Sequence, residues 1–130
     1  MLSEDRHGVR IIFKRDSESS VGRGAVIYRA HLRPEMSVIL YWAAYFAPLE
    51  LGDEMWVTEG WRNIRNSRDL HKECRAFDLD CMRIEARNYS AKYGIAQRWA
   101  NLIAEELGPD YQVILHGGEN ALHLHVELDP

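Results

Sequence analysis

Two histidines and a carboxylate alternate with apolar residues near the end of the chain, in the stretch ALHLHVEL. The polar members are His123, His125 and Glu127, and the residues between them are aliphatic. A period of two predicts a strand with one face in the core and both imidazoles on the other. Imidazole is a good ligand for zinc. The pair alone is a weak indication, because alternating polar residues are ordinary on a solvated strand face.

A second set of candidate ligands lies earlier in the chain. The segment RAFDLD alternates as a strand and places Asp78 and Asp80 on one face, with His71 seven residues before Asp78. A catalytic zinc has three protein ligands and one open position. If this strand pairs near the C-terminal hairpin, its Asp78 face can meet His125. The sequence therefore allows one zinc ion to be held by His71, Asp78 and His125.

Two further side chains could take part in catalysis at such a site. His123 lies two residues from His125 on the same strand face, so it could approach a metal-bound water without binding the metal. Glu119 lies where the predicted hairpin enters its last strand and could serve as a general base. Glu127 shares the face of both histidines and has no assigned role; it either orients a neighbour or faces solvent.

Each candidate also has an ordinary structural interpretation. His7 and His31 are typical of surface or packing residues, and His116 at the hairpin tip is uninformative. Asp78 taken alone would be a surface aspartate. Cys74 and Cys81 form no CxxC pair and are more typical of small buried side chains than of ligands.

The elements that must position these residues follow from local patterns. Strands and helices segregate along the chain, which predicts an α+β fold with a largely antiparallel sheet. Ser90 is the expected N-cap of the longer helix, and Gly117-Gly118 is the expected hairpin turn. The predicted strands are GVRIIFK, MWVT, RAFDLD, YQVILH and ALHLHVEL, and the predicted helices are the segment from Pro34 to before Pro48 and SAKYGIAQRWANLIAEEL.

Composition limits the classes of partner. The 130 residues suit a single domain, 1–130, and the formal net charge is −4. Without a clustered Lys/Arg run, a nucleic-acid partner is not expected. The longest apolar run, VILYWAAYFA, is too short to span a bilayer, and the N-terminus lacks the apolar region of a signal peptide. We therefore expect synthesis in the cytoplasm, a monomer, and no membrane partner.

The combined motifs resemble a known superfamily. LHKECRAFDLD resembles the SxHxxGxAxD motif of the zinc D-alanyl-D-alanine carboxypeptidases and L-alanyl-D-glutamate peptidases. ENALHLHVEL resembles the terminal HxH segment of that superfamily, which includes the hedgehog signalling domain. VTEGW and AKYG are also similar to hedgehog. The resemblance covers residues 34–130 in the family's order and leaves 1–33 unassigned.

The resemblance implies a hedgehog/DD-peptidase-like fold with a zinc site on one face of its sheet. It implies His71, Asp78 and His125 as the ligands of one zinc ion. It also implies Glu119 as the general base on the zinc-bound water, with His123 stabilising the oxyanion or shuttling a proton.

Departures from the family pattern bear on calcium and on the substrate. Asp69 replaces the usual serine of the motif and Cys74 replaces its glycine. Acidic residues that help bind calcium in hedgehog are absent after Trp61, so calcium is not expected. Arg62 instead resembles an arginine of the peptidoglycan peptidases, where a guanidinium would bind a substrate carboxylate. The alternative for Arg62 is a solvated or structural arginine.

The leading functional hypothesis is zinc-dependent hydrolysis of a peptide bond in bacterial peptidoglycan. A compact catalytic domain of this kind resembles phage or prophage enzymes that act on the cell wall during lysis or from the virion. The alternatives are a catalytically silent, hedgehog-like zinc protein that binds a partner, or a phage structural module. The bond that is cut, in a stem peptide or a cross-link, is not determined by these residues.

Overall fold

The computed structural model describes residues 2–14, 33–59 and 76–129. These residues form an α+β fold with one six-stranded mixed sheet and two α-helices. The strands are β1 (Leu2–Arg6), β2 (Val9–Phe13), β3 (Glu54–Glu59), β4 (Ala76–Asp80), β5 (Tyr111–His116) and β6 (His123–Leu128), and the helices are α1 (Pro34–Tyr45) and α2 (Tyr89–Leu107).

The sheet has the strand order β1-β2-β3-β4-β6-β5. β2 and β3 are parallel, whereas each of the other neighbouring pairs is antiparallel. β6 follows β5 in the chain but is inserted between β5 and β4, so the last strand is internal. The largely antiparallel sheet expected from the sequence is confirmed, with one parallel pair in addition.

Both helices pack on one face of the sheet and on each other. In α1 the buried residues recur at helical spacing, at Met36, Ile39, Leu40, Ala43 and Ala44. Trp99 of α2 is buried against them, and its indole N–H donates to the Ala43 carbonyl at 3.0 Å. That carbonyl belongs to the last turn of α1, where no helical N–H is left to bond it. The helices therefore cover the sheet face opposite His125 and Asp78.

The predicted elements in the described ranges are found with small differences in their bounds. β1 is the strand that the sequence analysis missed, because LSEDR has no apolar alternation. A signal was present in His7-Gly8, since both residues have positive φ and form the two-residue turn between β1 and β2. The loop between β5 and β6 is also longer than the predicted Gly117-Gly118 turn and spans residues 117–122.

The predicted N-cap of α2 was wrong. The helix begins at Tyr89, and its N-cap is Asn88, whose side chain accepts a hydrogen bond from the Ala91 N–H at 2.8 Å. Ser90 lies inside the first turn. The short Asn88 side chain reaches a backbone N–H that has no partner within the helix, which is the usual reason for asparagine at this position.

Cys81 is fully buried at the end of β4. Burial raises the pKa of its thiol to about 12, so the side chain is a neutral packing group. The expectation of a small buried side chain is confirmed for Cys81, whereas Cys74 lies outside the described residues. Neither described helix has the length and apolar character needed to cross a bilayer.

Candidate metal centre

The pairing of β4 with β6 brings the first two candidate ligands together. Asp78 lies directly opposite His125 in the antiparallel register, so their side chains leave the sheet on the same face. The Asp78 Oδ1 and His125 Nδ1 atoms are 2.8 Å apart. Residues 47 positions apart in the chain thus form a direct hydrogen bond. This meeting of the two faces is the one expected from the alternating patterns.

The other ring nitrogen of His125 also contacts a carboxylate. Its Nε2 atom lies 3.2 Å from Oε2 of Glu127, two residues along the same strand. Between 13% and 24% of the Asp78, His125 and Glu127 side chains is exposed. These three groups form a row, Asp78–His125–Glu127, in which the imidazole lies between two partly buried carboxylates.

The two carboxylates of this row favour a positive charge on His125. A neutral imidazole has one N–H and one lone pair, so it cannot donate to both carboxylates at once. The hydrogen bond to Asp78 raises the pKa of His125 above its ordinary value, against the opposing effect of burial. A positive charge is therefore favoured on the ring, or at one of its nitrogens. A proton and a metal ion are the two ways to place it there.

His123 lies beside the row. Its Nε2 atom is 4.0 Å from Oδ2 of Asp78, which is too long for a hydrogen bond. Its Nδ1 atom is 2.8 Å from the carbonyl oxygen of Ala121. A carbonyl oxygen only accepts, so Nδ1 carries the proton that is shared with Ala121.

The two remaining polar candidates near β6 have different surroundings. Glu119 is exposed in the turn that precedes β6 rather than on the strand itself. Asp80, which shares the strand face of Asp78, accepts a hydrogen bond from the Met82 N–H at 3.2 Å and lies 3.8 Å from the Arg83 guanidinium. Asp80 lies opposite His123 in the register but holds the turn after β4, whereas Asp78 bonds His125 and lies 4.0 Å from His123.

The donor set is chemically suited to zinc. Zinc binds imidazole nitrogen and carboxylate oxygen at about 2.0–2.2 Å, which puts two ligand atoms of a tetrahedral site roughly 3.3 Å apart. The Oδ1–Nδ1 distance of 2.8 Å between Asp78 and His125 is that of a direct hydrogen bond, so the two atoms would have to move apart to bind one ion. Glu127 would then accept a hydrogen bond from the second ring nitrogen of a metal-binding histidine, a position where carboxylates are common. A doubly charged ion would also balance the two carboxylates.

The contact of Glu127 with His125 was not predicted from the sequence. The available signal was the shared strand face, because residues two apart on one strand project side by side.

The predicted third ligand, His71, and the predicted substrate residue, Arg62, both lie outside the described residues. Within residues 2–14, 33–59 and 76–129, no group of three or more His, Cys, Asp or Glu side chains is arranged to hold a metal ion.

Comparison of the chain with protein-family models, with curated proteins and with solved structures gave no match.

Proposed function

We propose that the chain is a zinc-dependent peptidase that hydrolyses a peptide bond of bacterial peptidoglycan. The observation that carries the proposal is the row Asp78–His125–Glu127, with His123 beside it, on the sheet face opposite the two helices. Asp78 and His125 would hold the ion together with His71. A zinc ion bound there would polarise the scissile carbonyl and increase the acidity of water.

The chain's own residues supply the rest of the chemistry. Glu119 would accept a proton from the attacking water, because it lies on the turn that leads into β6 and its exposed side chain is accessible to solvent. His123 would move a proton or stabilise the negative charge that develops on the carbonyl oxygen. Arg62 would bind a substrate carboxylate through its guanidinium.

The strand next to the site favours a substrate with small apolar groups. Ile114 of β5 lies opposite His125 in the register, and 42% of it is exposed. Its neighbours Val113 and Leu115 project the other way and pack against the core. An exposed isoleucine beside the candidate centre would contact a substrate that lies across this face. Alanine side chains of stem peptides and cross-links are apolar groups that could pack on it.

The proposal is tested by metal analysis and by digestion of purified peptidoglycan, with mass spectrometry of the fragments. We expect about one zinc per chain, as a catalytic site requires, and release of peptide fragments that identify the bond. Glu119→Gln should keep its zinc and lose hydrolysis. Glu105→Gln, which removes the same charge from the exposed side of α2, is the matched control and should remain active.

Different failures have different meanings. Protein that is purified without chelators and contains no zinc would overturn the proposal completely. Zinc bound by Asp78 and His125 without any hydrolysis would leave the silent binding protein as the better description. A Glu119→Gln variant as active as the wild type would remove Glu119 from the role of base.

A further inference from the structure

The loop between β5 and β6 packs tightly against the ring of His123. Gly117 has φ +101°, and a Cβ atom added there would overlap the Ala121 carbonyl oxygen. The same atom would lie 2.8 Å from the Ala121 carbonyl carbon and 2.9 Å from Nδ1 of His123. Side-chain carbons do not approach backbone so closely in folded proteins. The Ala121 carbonyl and the His123 imidazole therefore occupy the space that a side chain at position 117 would need.

Gly118 next to it provides a direct contrast. It also has a positive φ, +67°, but a Cβ atom added there would meet nothing within 4 Å. An alanine at position 118 would carry the conformational cost of a positive φ without a collision. Alanine substitutions at positions 117 and 118 can therefore distinguish the effect of backbone strain from that of steric contact with His123.

The contact fixes which nitrogen of His123 faces the candidate centre. Because Nδ1 donates its proton to the Ala121 carbonyl, the neutral ring has its lone pair on Nε2. That Nε2 atom is the one directed towards Asp78, at 4.0 Å from Oδ2. A neutral ring in this tautomer accepts a proton at the site and cannot donate a hydrogen bond there.

We propose that Gly117 is a positioning residue, which lets the Ala121 carbonyl hold His123 as the Nδ1–H tautomer with the Nε2 lone pair towards Asp78. The proposal deepens the proposed function and rests on it for its catalytic meaning. In the neutral ring, Nε2 is then the nitrogen that can accept a proton at the candidate centre.

The tautomer can be measured without any assay of hydrolysis. Nitrogen–proton correlation spectra of protein labelled with ¹⁵N-histidine distinguish Nδ1–H, Nε2–H and the doubly protonated ring, and they are recorded at increasing pH until the pattern no longer changes. The signals of His123 are assigned by their loss in His123→Gln. We expect the Nδ1–H pattern in the wild type and in Gly118→Ala, and its loss in Gly117→Ala.

Two results would overturn the inference: the Nε2–H tautomer in the wild type, or an unchanged Nδ1–H pattern in folded Gly117→Ala. The wild-type spectrum decides the matter even where Gly117→Ala does not fold, which circular dichroism would reveal. If the wild type hydrolyses peptidoglycan, Gly117→Ala should retain zinc and lose kcat by roughly 10²-fold, the lower end of the contribution of general acid–base catalysis. A wild type without hydrolysis would count against the proposed function and leave the tautomer result intact.

Discussion

At the scale of single residues, similar side chains on the same strand face have different roles. Asp78 and Asp80 both project from β4, yet Asp78 bonds His125 whereas Asp80 holds the following turn. His123 and His125 are two residues apart on β6. The His123 ring donates a hydrogen bond to a backbone carbonyl, whereas the His125 ring lies between two carboxylates. The partner of each ring nitrogen therefore decides its chemistry.

The contact of Glu127 with His125 leads to a prediction about metal affinity. Glu127→Gln replaces the carboxylate on Nε2 with a neutral amide, so His125 should become a weaker and less well-oriented ligand. We expect zinc affinity to fall about 10–100-fold, the usual effect of removing such a partner. Competition titration with a chromophoric chelator measures the change.

Glu105→Gln serves again as the control for the change in net charge and should bind zinc like the wild type. Equal zinc affinity in the Glu127→Gln and wild-type proteins would show that Glu127 does not support the ligand. Loss of folded structure in Glu127→Gln is checked by circular dichroism before the titration.

At the scale of secondary-structure elements, the ends of the helices are held by specific side chains from outside the helical turns. Asn88 caps the first turn of α2, and Trp99 of α2 bonds a carbonyl in the last turn of α1. Each bond satisfies a backbone group that the helix itself leaves unpaired. The Trp99 bond also joins α2 to α1, on the side of the sheet away from the histidines.

The N-cap of α2 can be tested by a pair of alanine variants. Asn88→Ala removes the acceptor of the Ala91 N–H and should lower the free energy of unfolding by about 1 kcal/mol. Ser90→Ala, within the first turn, should have little effect because alanine is the better helix former. Urea denaturation followed by circular dichroism measures both. A larger loss for Ser90→Ala than for Asn88→Ala would contradict the observed cap.

At the scale of the whole molecule, the hydrophobic core and the candidate centre lie on opposite faces of the sheet. Leu122, Leu124 and Val126 of the C-terminal segment are buried in the core. His123, His125 and Glu127 alternate with them and project away from it. We therefore expect the core to form without metal, and a bound ion would add stability by mass action.

Removal of metal should accordingly lower the melting temperature without unfolding the protein at 25 °C. Zinc at 100 times its dissociation constant contributes about 2.7 kcal/mol. For a domain of this size we expect a shift in Tm of roughly 5–15 °C between zinc-loaded and chelator-treated protein. Asp78→Asn should lose most of the shift, because it removes a proposed ligand.

Calorimetry of the loaded and chelated forms measures this difference, and far-UV circular dichroism reports on the fold. Complete unfolding on chelation would contradict the separation of core and site. An identical Tm with and without zinc would show that zinc does not bind the folded protein.

Local patterns in the sequence determined most of the elements. Alternation in RAFDLD and ALHLHVEL was enough to put Asp78 and His125 on strands, each with one polar face, because residue period is a property of neighbouring residues. The polar strand β1 and the Asn88 cap were missed. β1 depends on the turn at His7-Gly8 and the cap depends on one side-chain hydrogen bond. Neither feature changes the spacing of apolar residues in the sequence.

Only the tertiary structure decided how these elements meet. The order of strands placed β6 beside β4, and the register set Asp78 opposite His125. A shift of one residue would have turned the Asp78 side chain to the other face. The contact of Glu127 and the tautomer of His123 depend likewise on distances within the folded hairpin. The sequence by itself determined the types of side chain and the strand faces that carry them. The tertiary structure decided which atoms meet, because strand order and register depend on pairing between distant parts of the chain.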